Sequence, residues 1–332
     1  MRELLISNTQ PPIFNRLQTK QLKDLSIEKL VKTSSECCSI ELCPNRYLDT
    51  ESLSKIRNRF VSVTWHTPYD IDSNNVDQIP AIFFIKQLYL QGYNVLLHLA
   101  GRNLTKYQVR RILDAVSSYG IKNIFVLQGD PSQNKKQKNE NCDFPYAADL
   151  VKFIRRNYGE FFTIGVAGYP EKHPEAKTME ADIEHLKEKV DFGANFIITQ
   201  ASYSYEAFEK FAKLCRNIGI SVPVIPGIFI INSFKALTAM SNFCGVFVPG
   251  DILEIVKKNE NNKDAVENFG VYHAAEMIKK ILQNRDLYGF HVFSLNDFQL
   301  LKKVLKCLGL YRSHIERPFY LCESSNTISE HY

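Results

Sequence analysis

The sequence lacks any run of about 18 apolar residues, so it offers no membrane-spanning helix. It lacks a C-x-x-C pair. Cys37, Cys38 and Cys43 cluster, but the other five cysteines are scattered, which argues against a zinc site and a disulfide framework and for a reducing compartment. There is no G-x-G-x-x-G and no Walker pattern, so the glycine-rich first turn of a dinucleotide-binding doubly wound sheet is missing. Neither H-x-H nor H-E-x-x-H occurs, and no metal is expected. The opening stretch, MRELLISNTQPPIF, has no apolar segment with a small-residue cleavage site, and the expected location is cytoplasmic. Charge of one sign is also scarce: the net charge is +5. Its densest run, Lys135, Lys136 and Lys138, alternates with Asn, Gln and Glu rather than aromatics, so it reads as a solvated loop and not a nucleic-acid patch.

What is present is a repeated beat of short apolar runs and amphipathic segments. Residues 37–42, 60–65, 94–99, 123–127, 162–168, 195–200, 222–228 and 289–295 read as strands, rich in β-branched and aromatic residues. Between them lie helical patterns. Residues 105–120 put Val109, Ile112, Leu113 and Val116 on one face and stop at Gly120. Residues 204–219 run from a Ser N-cap to Gly219. Helical material fills 233–284, with a break at Pro249, Gly250 and Asp251. Strands separated by helices imply right-handed βαβ units, and eight such units predict an α/β protein of the (β/α)8 TIM-barrel type. Residues 1–36 are then an N-terminal extension, 37–312 the barrel and 313–332 a short tail. The runner-up is a doubly wound sheet.

A barrel of this kind builds its active site from the C-terminal ends of its strands. The polar residues there are Glu41, Thr64, Trp65, His66, His98, Gln128, Gly129, Asp130, Tyr169, Glu171, His173, Glu175, Gln200, Asn296 and Asp297. Taken singly, each has a plain reading. Glu41 is a half-solvated strand end, His98 a satisfied core histidine, Asp130 a turn residue before Pro131 and Gln200 an amide held by backbone. Together they fill one space. Two acids on different strands suit general acid catalysis and stabilisation of a cation. The histidines, Tyr169 and Gln200 suit a flat heterocycle. No lysine lies at a strand end, which argues against Schiff-base chemistry.

In order along the chain, SIELCPNR, VSVTWH, HLAGR, NIFVLQGDP, FPYAADLVKFIR, IGVAGYPEKHPEA, ADIEHLKEKVDFGANFIITQ, VPVIPGI and FHVFSLN resemble the motifs of methylenetetrahydrofolate reductases, and TWH resembles the eukaryotic branch. The resemblance implies a barrel that holds FAD without a Rossmann domain. It also implies passage of hydride from NADPH or NADH, through the flavin, to 5,10-methylenetetrahydrofolate. By that resemblance Glu41 is the general acid and Asp130 the carboxylate that binds the pterin and stabilises the cation. Thr64, His98, Gln128, Gly129, Asp130, Tyr146, Ala147, Tyr169, His173, Ala176, Asp182 and Lys189 bind FAD, and Gln200 binds folate. A homo-oligomer is compatible with the same reading.

The sequence departs from the family pattern in places. Gln128 and Asp297 stand where arginines are usual, Ala201-Ser202 where a bulky apolar pair is usual, Ile230 where a proline is usual and Phe293 where a tyrosine is usual. These departures motivate two other readings: a barrel flavoprotein with a different acceptor, and a non-catalytic binding protein. The resemblance also implies a connecting segment in LGLYRSHIERPFY, followed in eukaryotic relatives by a domain that binds S-adenosylmethionine. The purified 332-residue chain is expected not to respond to that ligand, and saturable binding in a titration would contradict this.

Overall fold

The structure is a computed structural model that describes residues 26–33, 38–65, 71, 75–129 and 143–311. Eight parallel strands close into a barrel in sequential order: β1 (Cys38–Leu42), β2 (Phe60–Val63), β3 (Val95–Ala100), β4 (Asn123–Leu127), β5 (Thr163–Gly168), β6 (Phe196–Ala201), β7 (Val224–Ile228) and β8 (Phe290–Phe293). β8 pairs back onto β1, with His291 opposite Ser39 and Phe293 opposite Glu41. The expected (β/α)8 barrel is the observed fold.

Side-chain alternation sorts each strand into two environments. Ile40, Leu42, Val61, Val63, Leu97, Leu99, Ile124 and Val126 face outward into the main core, against the helices. Phe60, Leu96, Phe125, Phe196, Ile198 and Ile225 face inward and fill the barrel's lower half. The same parity points Glu41, His98 and Gln200 inward nearer the mouth. Fitting these large rings requires small partners: a Cβ on Gly165 of β5 would lie 2.4 Å from the Phe196 ring. At Gly227 of β7 a Cβ would lie 2.2 Å from Thr199 O, where Gly227 N–H also donates to Thr199 Oγ1 at 3.0 Å. The β6–β7 register shifts at this point.

The outer helices follow their sequence signals. α1 (Ile27–Lys32) has Ser26 as N-cap, and α2 (Thr50–Ser54) has Asp49. After a single 3-10 turn, α3 (Pro80–Leu90) begins with Pro at N1, and α4 (Lys106–Ser118) starts with a Thr105–Gln108 capping box. α5 (Ala147–Tyr158), α6 (Met179–Asp191) and α7 (Tyr205–Asn217) cover β4 to β6. The helical stretch after β7 resolves into α8 (Phe234–Cys244), α9 (Gly250–Lys258) and α10 (Lys263–Gln283), and α11 (Phe298–Cys307) follows β8. Among the described residues no helix is long and apolar enough to cross a membrane.

One helix inside the expected N-terminal extension has a structural task. Ile27 and Val31 of α1 are buried in the cluster formed by the inward side chains of β2, β3, β4, β6 and β7. Ile27 N–H donates to Asn123 Oδ1 at 3.1 Å, at the N-terminal end of β4. α1 therefore closes the barrel floor. Truncating a fully buried isoleucine removes transfer free energy and leaves a cavity, so Ile27→Ala is expected to destabilise the chain by about 2–4 kcal/mol. Denaturant unfolding checks this, and a loss below about 1 kcal/mol would mean that the floor does not depend on α1.

Candidate active site

Glu41 projects from β1 into the mouth, between Ser62 on β2 and Phe293 on β8. Its backbone carbonyl accepts from Ser294 Oγ at 2.8 Å, which fixes the strand end. The carboxyl has no ion-pair partner among the described residues, and burial raises its pKa from 4.5 to about 7. It is partly open to the mouth, yet protein surrounds it closely enough to weaken hydration of the charged form.

Beneath it lies a neutral floor. His291 is fully buried, with Nδ1 2.8 Å from Ser39 Oγ and Nε2 3.3 Å from Ser62 Oγ. Ser39 Oγ also lies 3.2 Å from Phe290 O, and the two serine hydroxyls can serve both ring nitrogens in either neutral tautomer. Burial, with His98 nearby, pushes the imidazole down to about 3, so it carries no charge at neutral pH. Reading the strand ends alone missed His291. Its signal was one polar residue on the inward register of the apolar run FHVF.

The β3–β4 side carries His98, whose ring lies 4.9 Å from that of Phe125. At the end of β4, Gln128 Nε2 donates to Pro145 O at 2.9 Å and ties the strand to the start of α5. There Tyr146 is the N-cap, two-thirds exposed, with its N–H donating to Asp149 Oδ2 at 3.0 Å, and Ala147 is the first helical residue. Gly129 has φ +91°, and a Cβ would lie 3.0 Å from Ala100 Cβ, so the position needs glycine both for conformation and for space. Arg102 holds this corner from β3: its N–H donates to Gln128 O and its Nε to Gly129 O, each at 2.8 Å. On β2, Thr64 N–H donates to Leu42 O at 3.0 Å. Asp130 and His66 lie outside the described residues.

The β5–α6 side brings five expected residues into one cluster. The rings of Tyr169 and His173 meet edge to face at 4.6 Å. His173 N–H donates to Asp182 Oδ2 at 3.0 Å, and Ala176 N–H to His173 O at 3.0 Å. Lys189 reaches from α6 to donate from Nζ to Ala167 O at 2.7 Å. Burial lowers Lys189 to about 8, with nearby Asp182 opposing the shift. Across the mouth, Gln200 Oε1 accepts from Ala201 N–H at 2.8 Å, which is the backbone-held arrangement that the sequence allows, and its Nε2 makes no further hydrogen bond among the described residues. The strand ends bring Glu41, Gln200 and the Tyr169 cluster to one mouth.

Asp297 takes another part. Its carboxylate caps α11, accepting from Gln299 N–H at 3.2 Å and Leu300 N–H at 3.4 Å. It lines a cavity of about 110 Å³ with Arg46, Asn232 and Phe293. Among the described residues no group of three or more His, Cys, Asp or Glu side chains is placed to hold a metal ion.

A model of the family described as methylenetetrahydrofolate reductase matches residues 41–309, from the mouth carboxyl of β1 through α11. The chain belongs to the methylenetetrahydrofolate reductase family. It is 32% identical over 303 residues to a "Probable methylenetetrahydrofolate reductase (NADPH)" of Caenorhabditis elegans, covering 88% of this chain and 45% of that one. It is 33% identical over 281 residues to a "5,10-methylenetetrahydrofolate reductase" of Pectobacterium carotovorum, covering 82% of this chain and 90% of that one. The chain thus spans less than half the length of the nematode relative. A solved structure from Clostridium thermocellum, an uncharacterised protein described as binding two copies of 5-methyl-5,6,7,8-tetrahydrofolic acid, has the same fold at TM-score 0.58 and 17% identity, covering 84% of this chain and 99% of that one.

The reductase-family Glu41 gives a measurable pH signature. Its folded pKa of about 7 lies above the ordinary 4.5, so between these values the folded state binds more protons than the unfolded one. Stability therefore falls as pH rises through that window and stays lower above it. Glu41→Gln copies the protonated acid. It is expected to match wild type below about pH 4.5 and to exceed it by roughly 2 kcal/mol at pH 8, as measured by denaturant unfolding. Equal stabilities at pH 8 would mean that the carboxylate is well solvated.

Proposed function

We propose that this chain reduces 5,10-methylenetetrahydrofolate to 5-methyltetrahydrofolate, with FAD held in the barrel mouth and NADPH or NADH as reductant, in the cytoplasm. The observation that carries the reading is Glu41: a carboxyl closely surrounded by protein at the mouth, poised near neutral pH, over an uncharged floor, at a position inside the family match. The match to a bacterial relative over 90% of its length supports a barrel sufficient for the reaction.

The residues around the mouth suit FAD. Gly129 presents backbone where no side chain fits, Lys189 offers ammonium protons beside the rim, and the crossed rings of Tyr169 and His173 form a rigid wall. Gly129, Thr64, His98, Gln128, Tyr146, Ala147, Ala176 and Asp182 complete the proposed cradle with Asp130. When bound, FAD supplies hydride transfer between the nicotinamide and the folate carbon.

The chain's own residues supply the proton and the electrostatics. At or below about pH 7 the Glu41 carboxyl keeps its O–H and can donate the proton to the folate ring nitrogen, opening the five-membered ring to an iminium ion. The resulting carboxylate lies beside the cation, as does the proposed Asp130 carboxylate, so negative charge is already in place where positive charge develops. A neutral His291 matters because a cation there would favour the Glu41 carboxylate and lose the acid. Gln200 can donate from Nε2 to the pterin, since its oxygen is already occupied.

Two anaerobic half-reactions test the proposal. NADPH or NADH is expected to bleach the bound flavin, and methylenetetrahydrofolate to restore its colour more slowly as pH rises above about 7. Glu41→Gln should still bleach, while recolouring by folate slows by roughly 10²- to 10⁴-fold. Recolouring by that variant at the wild-type rate would remove Glu41 as the acid, and a wild-type chain whose reduced flavin ignores the folate would favour a different acceptor.

A further inference from the structure

Glu171 stands in the same loop as Tyr169 and His173, yet nothing in the reaction uses it. Its carboxylate is fully engaged by protein. Oε1 accepts from Ser202 Oγ at 2.8 Å and Oε2 from Phe247 N–H at 2.9 Å, across sequence separations of 31 and 76 residues. Ser202 is 1% exposed and also accepts from Ser204 N–H at 3.1 Å, which fixes its hydroxyl. Its alternative acceptor, Ser204 O, is more distant at 3.4 Å, so the proton goes to the carboxylate. One side chain thus joins the β5–α6 loop, the β6–α7 loop and the segment between α8 and α9.

The loop needs an external hold. Lys172 has φ +77°, the left-handed region that a lysine rarely adopts. Its two neighbours are both anchored, Glu171 by the contacts above and His173 by its N–H bond to Asp182 Oδ2. Lys172 Nζ then donates to His173 O at 3.2 Å and Ala176 O at 2.5 Å, folding the loop over itself. A second contact braces it: a Cβ on Gly245, the α8 C-cap, would lie 2.7 Å from Pro174 Cγ. An unfavourable backbone conformation persists only where the surroundings over-determine it.

We infer that Glu171 is a positioning residue: its bonds to Ser202 and Phe247 hold the β5–α6 loop in the conformation that sets the Tyr169–His173 wall before any cofactor arrives. Ser202 is then half of this clamp, and its departure from the usual bulky apolar residue is an internal contact rather than a change in what the mouth binds. The flavin consequence rests on the function proposed above; the clamp itself does not.

Amide hydrogen exchange in the FAD-free full-length chain tests the clamp. Glu171→Ala is expected to speed exchange at Phe247 and across residues 172–176 by about tenfold or more, and Ser202→Ala across 172–176 by several-fold. Glu171→Gln can accept from Phe247 N–H and donate to Ser202 Oγ, and should stay near wild type. In the FAD-loaded chain, Glu171→Ala should release flavin about tenfold faster with a nearly unchanged unfolding midpoint, and Ser202→Ala should add little in that background. Wild-type exchange at Phe247 in Glu171→Ala overturns the clamp, and Ser202→Ala decides the matter if that variant fails to fold. Faster exchange with unchanged flavin release overturns the positioning role. A wild-type chain that binds no FAD fails the flavin reading alone, because the exchange result still decides the clamp.

Discussion

A carboxyl held away from water at the end of β1 constrains everything near it. Charging Glu41 costs hydration that the barrel does not replace, so the group keeps its proton up to about pH 7. That balance survives only if its neighbours stay uncharged. The nearest inward layer obeys this requirement: Ser39, Ser62 and His291 are polar, satisfied among themselves and neutral. Cations occur around the mouth, but their bonds lie elsewhere, Lys189 on Ala167 O and Arg102 on Gly129 O. The electrostatic problem is solved by position on the barrel rather than by a dedicated partner for the acid.

Position is what the fold provides. Parallel strands in sequential order bring all eight C-terminal ends to one rim, and alternation assigns every second side chain to the interior. The lower interior is packed with rings and closed by α1, so the polar upper layer has one opening. Two glycines make this possible on β5 and β7 by leaving room for Phe196 and for the Thr199 carbonyl. The floor and the mouth are therefore coupled: large rings below exclude water from beneath Glu41, and that exclusion produces its high pKa.

Much of this was legible in the sequence because it is local. Short apolar runs and glycine-stopped helical faces located the strands and most helices, and the strand-end polar residues singled out Glu41, His98, Tyr169, His173 and Gln200 as candidates. The expected break at Pro249–Asp251 fell a few residues late, since the gap between α8 and α9 is 245–249 and Gly250 and Asp251 open α9, and the start of α10 went unread. What stayed hidden depends on partners far away in sequence. Ile27 is an ordinary helical isoleucine until β4 supplies Asn123, 96 residues on. His291 gains partners for both ring nitrogens only when Ser39 and Ser62 meet it, and Glu171 becomes a clamp only when Ser202 and Phe247 arrive. Asp130, the most prominent acid in the sequence, falls outside the described residues, so its part rests on the family resemblance.

Three of the departures from the family pattern have partners within the protein. Gln128 gives up an arginine's charge and spends its amide on Pro145 O, drawing β4 to the start of α5. Asp297 reverses a charge, but its carboxylate faces the N-terminus of α11, where backbone N–H groups and the helix dipole offset it. Ser202 replaces bulk with a hydroxyl that Glu171 accepts. Each of these three side chains hydrogen-bonds to protein, and Asp297 also lines the cavity it shares with Arg46 and Phe293. These bonds join β4 to the start of α5, cap α11 and tie the β6–α7 loop to the β5–α6 loop. Arg102 beside Gly129, Arg46 in the cavity it shares with Asp297, and Lys189 on Ala167 O are cations near the mouth. Charged contacts near the mouth therefore come from loops and helices around the rim, while the inward layer beneath Glu41 stays neutral.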